Sequence, residues 1–126
     1  MRKIIYLLLF SLLLPGCIVN LVTGRKQLSL VNDSELRLMA TSQYNTFLSD
    51  HKVLSTASNS NAATVDRVGK RIAAAIKTYY DSKGMQVVLE GYEWEFNTIE
   101  SEEINAWCMP GGKVAVYTGL LPVTQN

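Results

Sequence analysis

The sequence is poor in the side chains from which active centres are usually assembled. Its 126 residues hold one histidine, His51, and two cysteines, Cys17 and Cys108. A catalytic zinc ion needs three protein ligands, and one imidazole with one spare thiol does not supply them. Two cysteines also make no disulfide framework. Charge of neither sign dominates: twelve Lys and Arg stand against eleven Asp and Glu, and nothing in that balance points to a nucleic-acid partner. The longest apolar run, Ile4 to Leu14 broken only by Ser11, falls short of the roughly 20 residues that span a bilayer. There is no internal repeat.

What is present begins with that run. Arg2 and Lys3 precede it and Pro15-Gly16-Cys17 follow it, the charged, apolar and small-residue order of a secretory signal. Cys17 directly after the small Gly16, with Leu14 three positions before it, resembles a lipobox, although Pro15 stands where a small or β-branched residue is commoner. The expectation is a lipoprotein: residues 1–16 are a signal peptide and Cys17 is acylated. An ordinary cleaved signal and a retained anchor are the competing readings. Several acyl chains on one residue hold firmly, because two already suffice for stable anchoring. Ile18 in place of an acidic retention residue points to the outer membrane, facing the periplasm, where enterobacterial sorting applies. Loss of residues 1–16 leaves ten cations against eleven anions and Cys108 as the one thiol without a partner.

Residues 17–32 read as a tether and 33–126 as one small domain, long enough to bury a core without staples. A helix is predicted over about 33–50, capped by Asp33 or Ser34, with Leu36, Met39, Ala40, Phe47 and Leu48 close to one face. Ser55 to Asn61 lacks large apolar residues and reads as a loop. A second helix is predicted over about 62–80, since Val65, Val68, Ile72, Ala75, Ile76 and Tyr79 recur at three- and four-residue steps. Gly84 is its stop signal. As a core-packing helix it carries solvated charges; a membrane-surface helix is the sharper alternative, weakened by Asp66 in its basic face.

The period then falls to two. Tyr92, Trp94 and Phe96 alternate with Glu93, Glu95 and Asn97, predicting a half-buried strand over about 92–98. Strands at about 104–109 and 113–118 meet across Pro110-Gly111-Gly112, where proline fixes one φ and Gly111 supplies the positive φ of a type II turn. Val114 to Tyr117 are apolar on both faces, which places that strand inside the sheet. The fold class is therefore α+β, two N-terminal helices followed by a small, mainly antiparallel sheet.

The stretch Asn105-Ala106-Trp107-Cys108-Met109-Pro110-Gly111-Gly112-Lys113-Val114-Ala115-Val116-Tyr117-Thr118-Gly119-Leu120-Leu121-Pro122 resembles the segment just upstream of the zinc helix in metallopeptidase family 48, the prenyl-protease-like and HtpX-like zinc proteases. Thr23-Gly24-Arg25-Lys26-Gln27-Leu28 resembles the opening of its bacterial lipoprotein branch. The resemblance implies the front part of a zincin-like domain, and about ten residues further on a helix with His-Glu-x-x-His, two imidazoles one turn apart on Zn²⁺ with a glutamate to deprotonate the bound water. None of this motif occurs in the sequence, so zinc is a cofactor of the family that these residues cannot bind. The expectation is an inactive fragment, truncated before the metal helix, of a membrane-tethered zinc metalloendopeptidase of envelope proteolysis. A non-catalytic lipoprotein acting as a peptide-binding or scaffold module is the alternative.

The resemblance also implies substrate contact at Asn105, Ala106 and Trp107, on a strand that binds an extended peptide through its backbone. The plainer reading is that Asn105 organises a turn and Trp107 fills the core. The implied partner is a peptide or misfolded envelope protein, besides the membrane itself. Three other patterns are weaker. Glu93, Glu95, Glu100, Glu102 and Glu103 read as a solvated face rather than paired catalytic carboxylates. Gly111-Gly112-Lys113 lacks the spacing and the following Ser or Thr of a phosphate loop. Cys108 reads as inert packing inside an apolar strand. Without the metal helix one face of the sheet is expected to expose apolar surface and leave the domain marginally stable.

Overall fold

The computed structural model describes residues 17–20, 22–28 and 31–124, with Cys17, Ile18, Gln27 and Leu28 described by their backbone alone. The signal peptide 1–16 and the Cys17 side chain thus lie outside what is described. Among the described residues no helix is long and apolar enough to cross a membrane. The chain divides into two units, Met1–Asn32 and Asp33–Asn126.

In the first unit β1 (Cys17–Val19) pairs antiparallel with β2 (Lys26–Leu28). Asn20 closes the turn between them: its side-chain oxygen accepts the N–H groups of Val22 and Thr23, each at 2.9 Å. The range read as a tether therefore contains a hairpin, and Asn20 and Gly24 were its turn signals.

In the second unit α1 (Asp33–Asp50) leads through β3 (Val53–Leu54) to α2 (Ser60–Ser82) and a 3₁₀ turn at Gln86–Leu89. Then come β4 (Glu95–Ile99), β5 (Ala106–Met109), β6 (Lys113–Tyr117), a 3₁₀ turn at Thr118–Leu120 and the short α3 (Leu121–Thr124). α1 occupies the predicted range. α2 begins two residues early because Asn59, counted as loop, is its N-cap and accepts the Ala62 N–H at 3.0 Å. All three predicted strands are shorter than expected, and β3 is too short to leave any periodic trace.

The sheet order is β3-β4-β6-β5. Its outer pairings are antiparallel, but β4 and β6 run parallel. The fold is α+β with a mostly antiparallel sheet, as expected, and the parallel central pair corrects the detail. After β4 the chain passes over the place that β6 fills, runs back as β5, and returns through the turn at Pro110 to Gly112. Gly111 has the positive φ foreseen for it, 89°; Gly112 also needs one, 87°, and a Cβ there would lie 2.8 Å from the Trp94 ring.

α1 and α2 each cover one face of this sheet, and each turns part of its expected apolar face outward, while Ala40, Phe47 and Leu48 of α1 and Val65 and Ile76 of α2 are inward as expected. α1 buries Ala40 and Tyr44, while Leu36 and Met39 are exposed at 42% and 51%. Tyr44 is fully buried and packs with Ile99, Ala115 and Tyr117, flanked by Phe47, Leu48, Trp107 and Met109. A hydrophobic count passes over tyrosine because its hydroxyl needs a partner, which the fold supplies. α2 lies on the other face, and there Val68, Ile72, Ala75 and Tyr79, expected inward, are exposed; Ala62 and Gly69 are buried instead. The reason is close approach: a Cβ on Gly69 would lie 2.3 Å from the Phe96 ring. The helix makes its closest approach through its small side chains, while Val65 and Ile76 are half-buried as expected.

Gly69→Ala therefore sets a gain of about 1 kcal/mol in helix propensity against an overpacking cost of about 1–3 kcal/mol. A contact of 2.3 Å requires the Phe96 ring or the helix backbone to move, so the cost wins. The urea midpoint of the G69A protein is expected to fall; a midpoint at or above the parent's would show that the helix is free to lift off Phe96.

Candidate peptide-binding edge

Among the described residues β5 is the outer strand of the sheet and bonds to β6 alone. Its register fixes which backbone groups are free. The Tyr117 N–H donates to the Asn105 carbonyl at 3.0 Å, so Asn105 and Tyr117 form a hydrogen-bonded pair. In an antiparallel ladder such pairs alternate. With Trp107 opposite Ala115 and Met109 opposite Lys113, the N–H and C=O groups of Asn105, Trp107 and Met109 turn toward β6. Those of Ala106 and Cys108 turn outward, to the open edge.

The side chains alternate in the same way. Trp107 and Met109 face α1, where the indole meets Phe47 edge-on at 4.7 Å and Tyr44 at 5.8 Å and donates to the Tyr117 hydroxyl at 3.2 Å. The Trp107 side chain is thus a core element that fixes the strand. Ala106 and Cys108 lie on the opposite face and are exposed. This corrects the reading of Cys108 as buried packing. The parity was in the sequence, since Cys108 is two residues from Ala106 and one from Trp107. Asn105 bonds locally: its amide donates to Glu103 at 3.0 Å.

Behind the edge, the α1 face of the sheet carries a chain of polar contacts that the sequence gave no reason to join. Lys113, only 5% exposed, reaches Glu95 at 3.3 Å and Glu93 at 3.7 Å. The Asn97 amide donates to Glu95 at 2.7 Å and to the Tyr44 hydroxyl at 3.2 Å, and that hydroxyl donates to the Val114 carbonyl at 2.5 Å. Burial pushes the Tyr44 phenol above its ordinary pKa and the Glu95 charge adds to this, against hydrogen bonds from Asn97 that pull it down. Glu95 is therefore part of a network, although its side chain still meets solvent as expected. Glu100 pairs with Lys52 at 2.7 Å.

None of these groups makes a metal centre. Among the described residues no three His, Cys, Asp or Glu side chains are placed to hold an ion. The His51 ring stacks on Phe47, centroids 4.0 Å apart, with Nδ1 2.8 Å from the Phe47 carbonyl oxygen. It finishes α1. A surface cavity of about 730 Å³ between the second half of α2 and the 3₁₀ turn, bordered by Trp94, holds the ion pair Lys77–Asp81 and, among the described residues, is lined by no Ser, Thr, Cys or His.

A mostly antiparallel sheet with an open outer strand is a platform to which an extended peptide can add as a further strand. The sequence profile described as Peptidase family M48 matches residues 59–126, more than half of the chain, and the protein belongs to that family of zinc metalloproteases. Metalloendopeptidase OMA1, mitochondrial, of Bos taurus is 28% identical over 105 residues, covering 82% of this chain and 18% of the relative. Mitochondrial metalloendopeptidase OMA1 of Arabidopsis thaliana is 48% identical over 33 residues, 26% of this chain and 7% of the relative. The chain thus spans less than a fifth of either relative. No solved structure matches it. The family's zinc finds no fit in the residues described, and no catalytic step is assigned to them.

The Tyr44 network has a pH signature. A phenol whose pKa is raised by folding leaves stability intact below the unfolded value of about 10 and removes it as pH climbs through the folded value. Stability is expected to decline above about pH 10, and Tyr44→Phe is expected to lose about 1–3 kcal/mol at neutral pH together with much of that alkaline decline. Urea melts of both proteins at neutral and alkaline pH measure this; parallel declines would assign the alkaline effect to other groups.

Proposed function

We propose that this chain is the peptide-holding part of a membrane-tethered zinc metalloendopeptidase of envelope proteolysis, unable to hydrolyse peptide bonds with the residues it contains. The open edge at Ala106 and Cys108 carries this reading. Its outward N–H and C=O groups are those an extended polypeptide needs to join a sheet, and such pairing accepts any sequence of backbone. Ala106 supplies the backbone contact. Asn105 marks the end at which the peptide leaves the sheet, and Trp107 holds the strand from behind. The substrate class is unfolded or misfolded exported protein.

The tether is a lipid on Cys17, after loss of residues 1–16, and the side served is the periplasmic one, with the outer membrane favoured by Ile18. Within the same geometry a second reading is open, a non-catalytic lipoprotein that binds or scaffolds peptides. What favours it is that the pairing groups and their supports lie entirely in β5, β6 and α1 and need no metal.

Proline in place of Ala106 removes one outward N–H and no ladder bond, a change that edge strands tolerate. Ala106→Pro is expected to keep the thermal transition near the parent's and to weaken binding of an extended peptide at least tenfold, about 1.4 kcal/mol. Trp107→Pro, which removes an inward N–H, is expected to unfold the sheet. Unchanged peptide binding by A106P would sink the edge reading. For the anchor, radiolabelled palmitate is expected to mark the wild-type protein in bacterial cells and not Cys17→Ser; equal labelling of both would rule out Cys17 as the lipid site. Addition of zinc is expected to yield no cleavage of a labelled protein substrate, and metal-dependent cleavage would overturn the claim of inactivity.

A further inference from the structure

We infer that the β5 edge selects its peptides: it favours extended segments with apolar side chains at two positions separated by one residue, those that lie beside Ala106 and Cys108. The inference rests on the edge reading above and adds a substrate class to it. Residues directly opposite each other in a sheet send their side chains to the same face. A peptide paired with the outward groups of Ala106 and Cys108 therefore lays two of its side chains, from positions i and i+2, on the face that those residues share with Val114 and Val116.

That face is built for apolar contact. Ala106 opposite Val116 and Cys108 opposite Val114 are the non-hydrogen-bonded pairs of the ladder, the ones with closest side chains. Ala106 and Cys108 are exposed and the two valines half-buried, so small side chains at the edge leave a shelf floored by branched ones. None of the four side chains bears a charge or a hydroxyl. A charged peptide side chain laid there gives up water for no partner, whereas a leucine removes apolar area from water on both sides. On the other face Trp107 and Met109 are already engaged with the α1 cluster, and no matching shelf is offered to the intervening peptide residues. The selectivity is thus one-sided and has the period of the strand.

The probes are two fluorescent peptides with alternating sequence, one with leucine and one with aspartate at every second position and threonine between. Binding to the full chain is read by fluorescence anisotropy. The leucine peptide is expected to bind at least about tenfold more tightly than the aspartate peptide. Cys108→Asp is expected to remove most of that preference, and Cys108→Ala to retain it, with thermal transitions of both variants near the parent's because residue 108 is exposed. Equal binding of the two peptides, still abolished by Ala106→Pro, would overturn the selectivity and leave the edge standing. Binding that is absent, or indifferent to Ala106→Pro, would overturn the edge reading and this inference together.

Discussion

The second unit depends on the hydroxyl of Tyr44. It sits in the middle of α1, the helix that covers its face of the sheet, and is wholly buried. It reaches the backbone of β6, the strand that every other long strand touches. A buried phenol without an acceptor would cost about as much as its ring contributes by burial. Bound to the Val114 carbonyl, it fixes the height and rotation of α1. Once α1 is fixed, Phe47 follows one turn on, and Phe47 with Tyr44 gives Trp107 its two edge-on neighbours. The open strand is thus held from inside by an aromatic cluster whose position goes back to one hydrogen bond.

Both helices, the hairpin and the interior position of β6 were legible in the sequence, because each is written locally. Periodicity shows the helices, Gly84 ends the second, and Pro110 to Gly112 turns the hairpin. What was not legible depended on partners distant in the chain. Gly69 reads as a blemish in a helix until Phe96 is set beneath it, and of the valines and isoleucines that looked like the core face Val68 and Ile72 are left outside while Val65 and Ile76 are half-buried. Tyr44 and Lys113 read as amphipathic until the sheet brings Val114, Asn97 and Glu95 to them. The parallel pairing of β4 with β6 leaves no pattern, because strand direction is a property of the crossover and not of the residues.

The candidate site was found in the sequence by likeness and then redistributed by register. Asn105, Ala106 and Trp107 do sit at the open strand, but alternation separates them. Trp107 belongs to the interior, Asn105 to a local bond with Glu103, and Ala106 alone of the three presents its backbone outward. Cys108, discounted as filler, shares that orientation. A single hydrogen bond, from Tyr117 to Asn105, decides the phase of the whole strand.

The turn at Pro110 to Gly112 also bears on the order in which the molecule assembles. β5 and β6 are neighbours in sequence and zip from a preset bend, whereas pairing β6 with β4 requires closure of a longer loop, and β3 must cross the length of α2 to reach β4. Local pairings form before distant ones when the loop entropy of the latter is larger. Loop entropy thus favours formation of the hairpin before β4 and Tyr44 claim the β6 side. A hairpin formed first would offer both flanks to pairing, and the arrival of β4 leaves only the β5 flank open among the described residues.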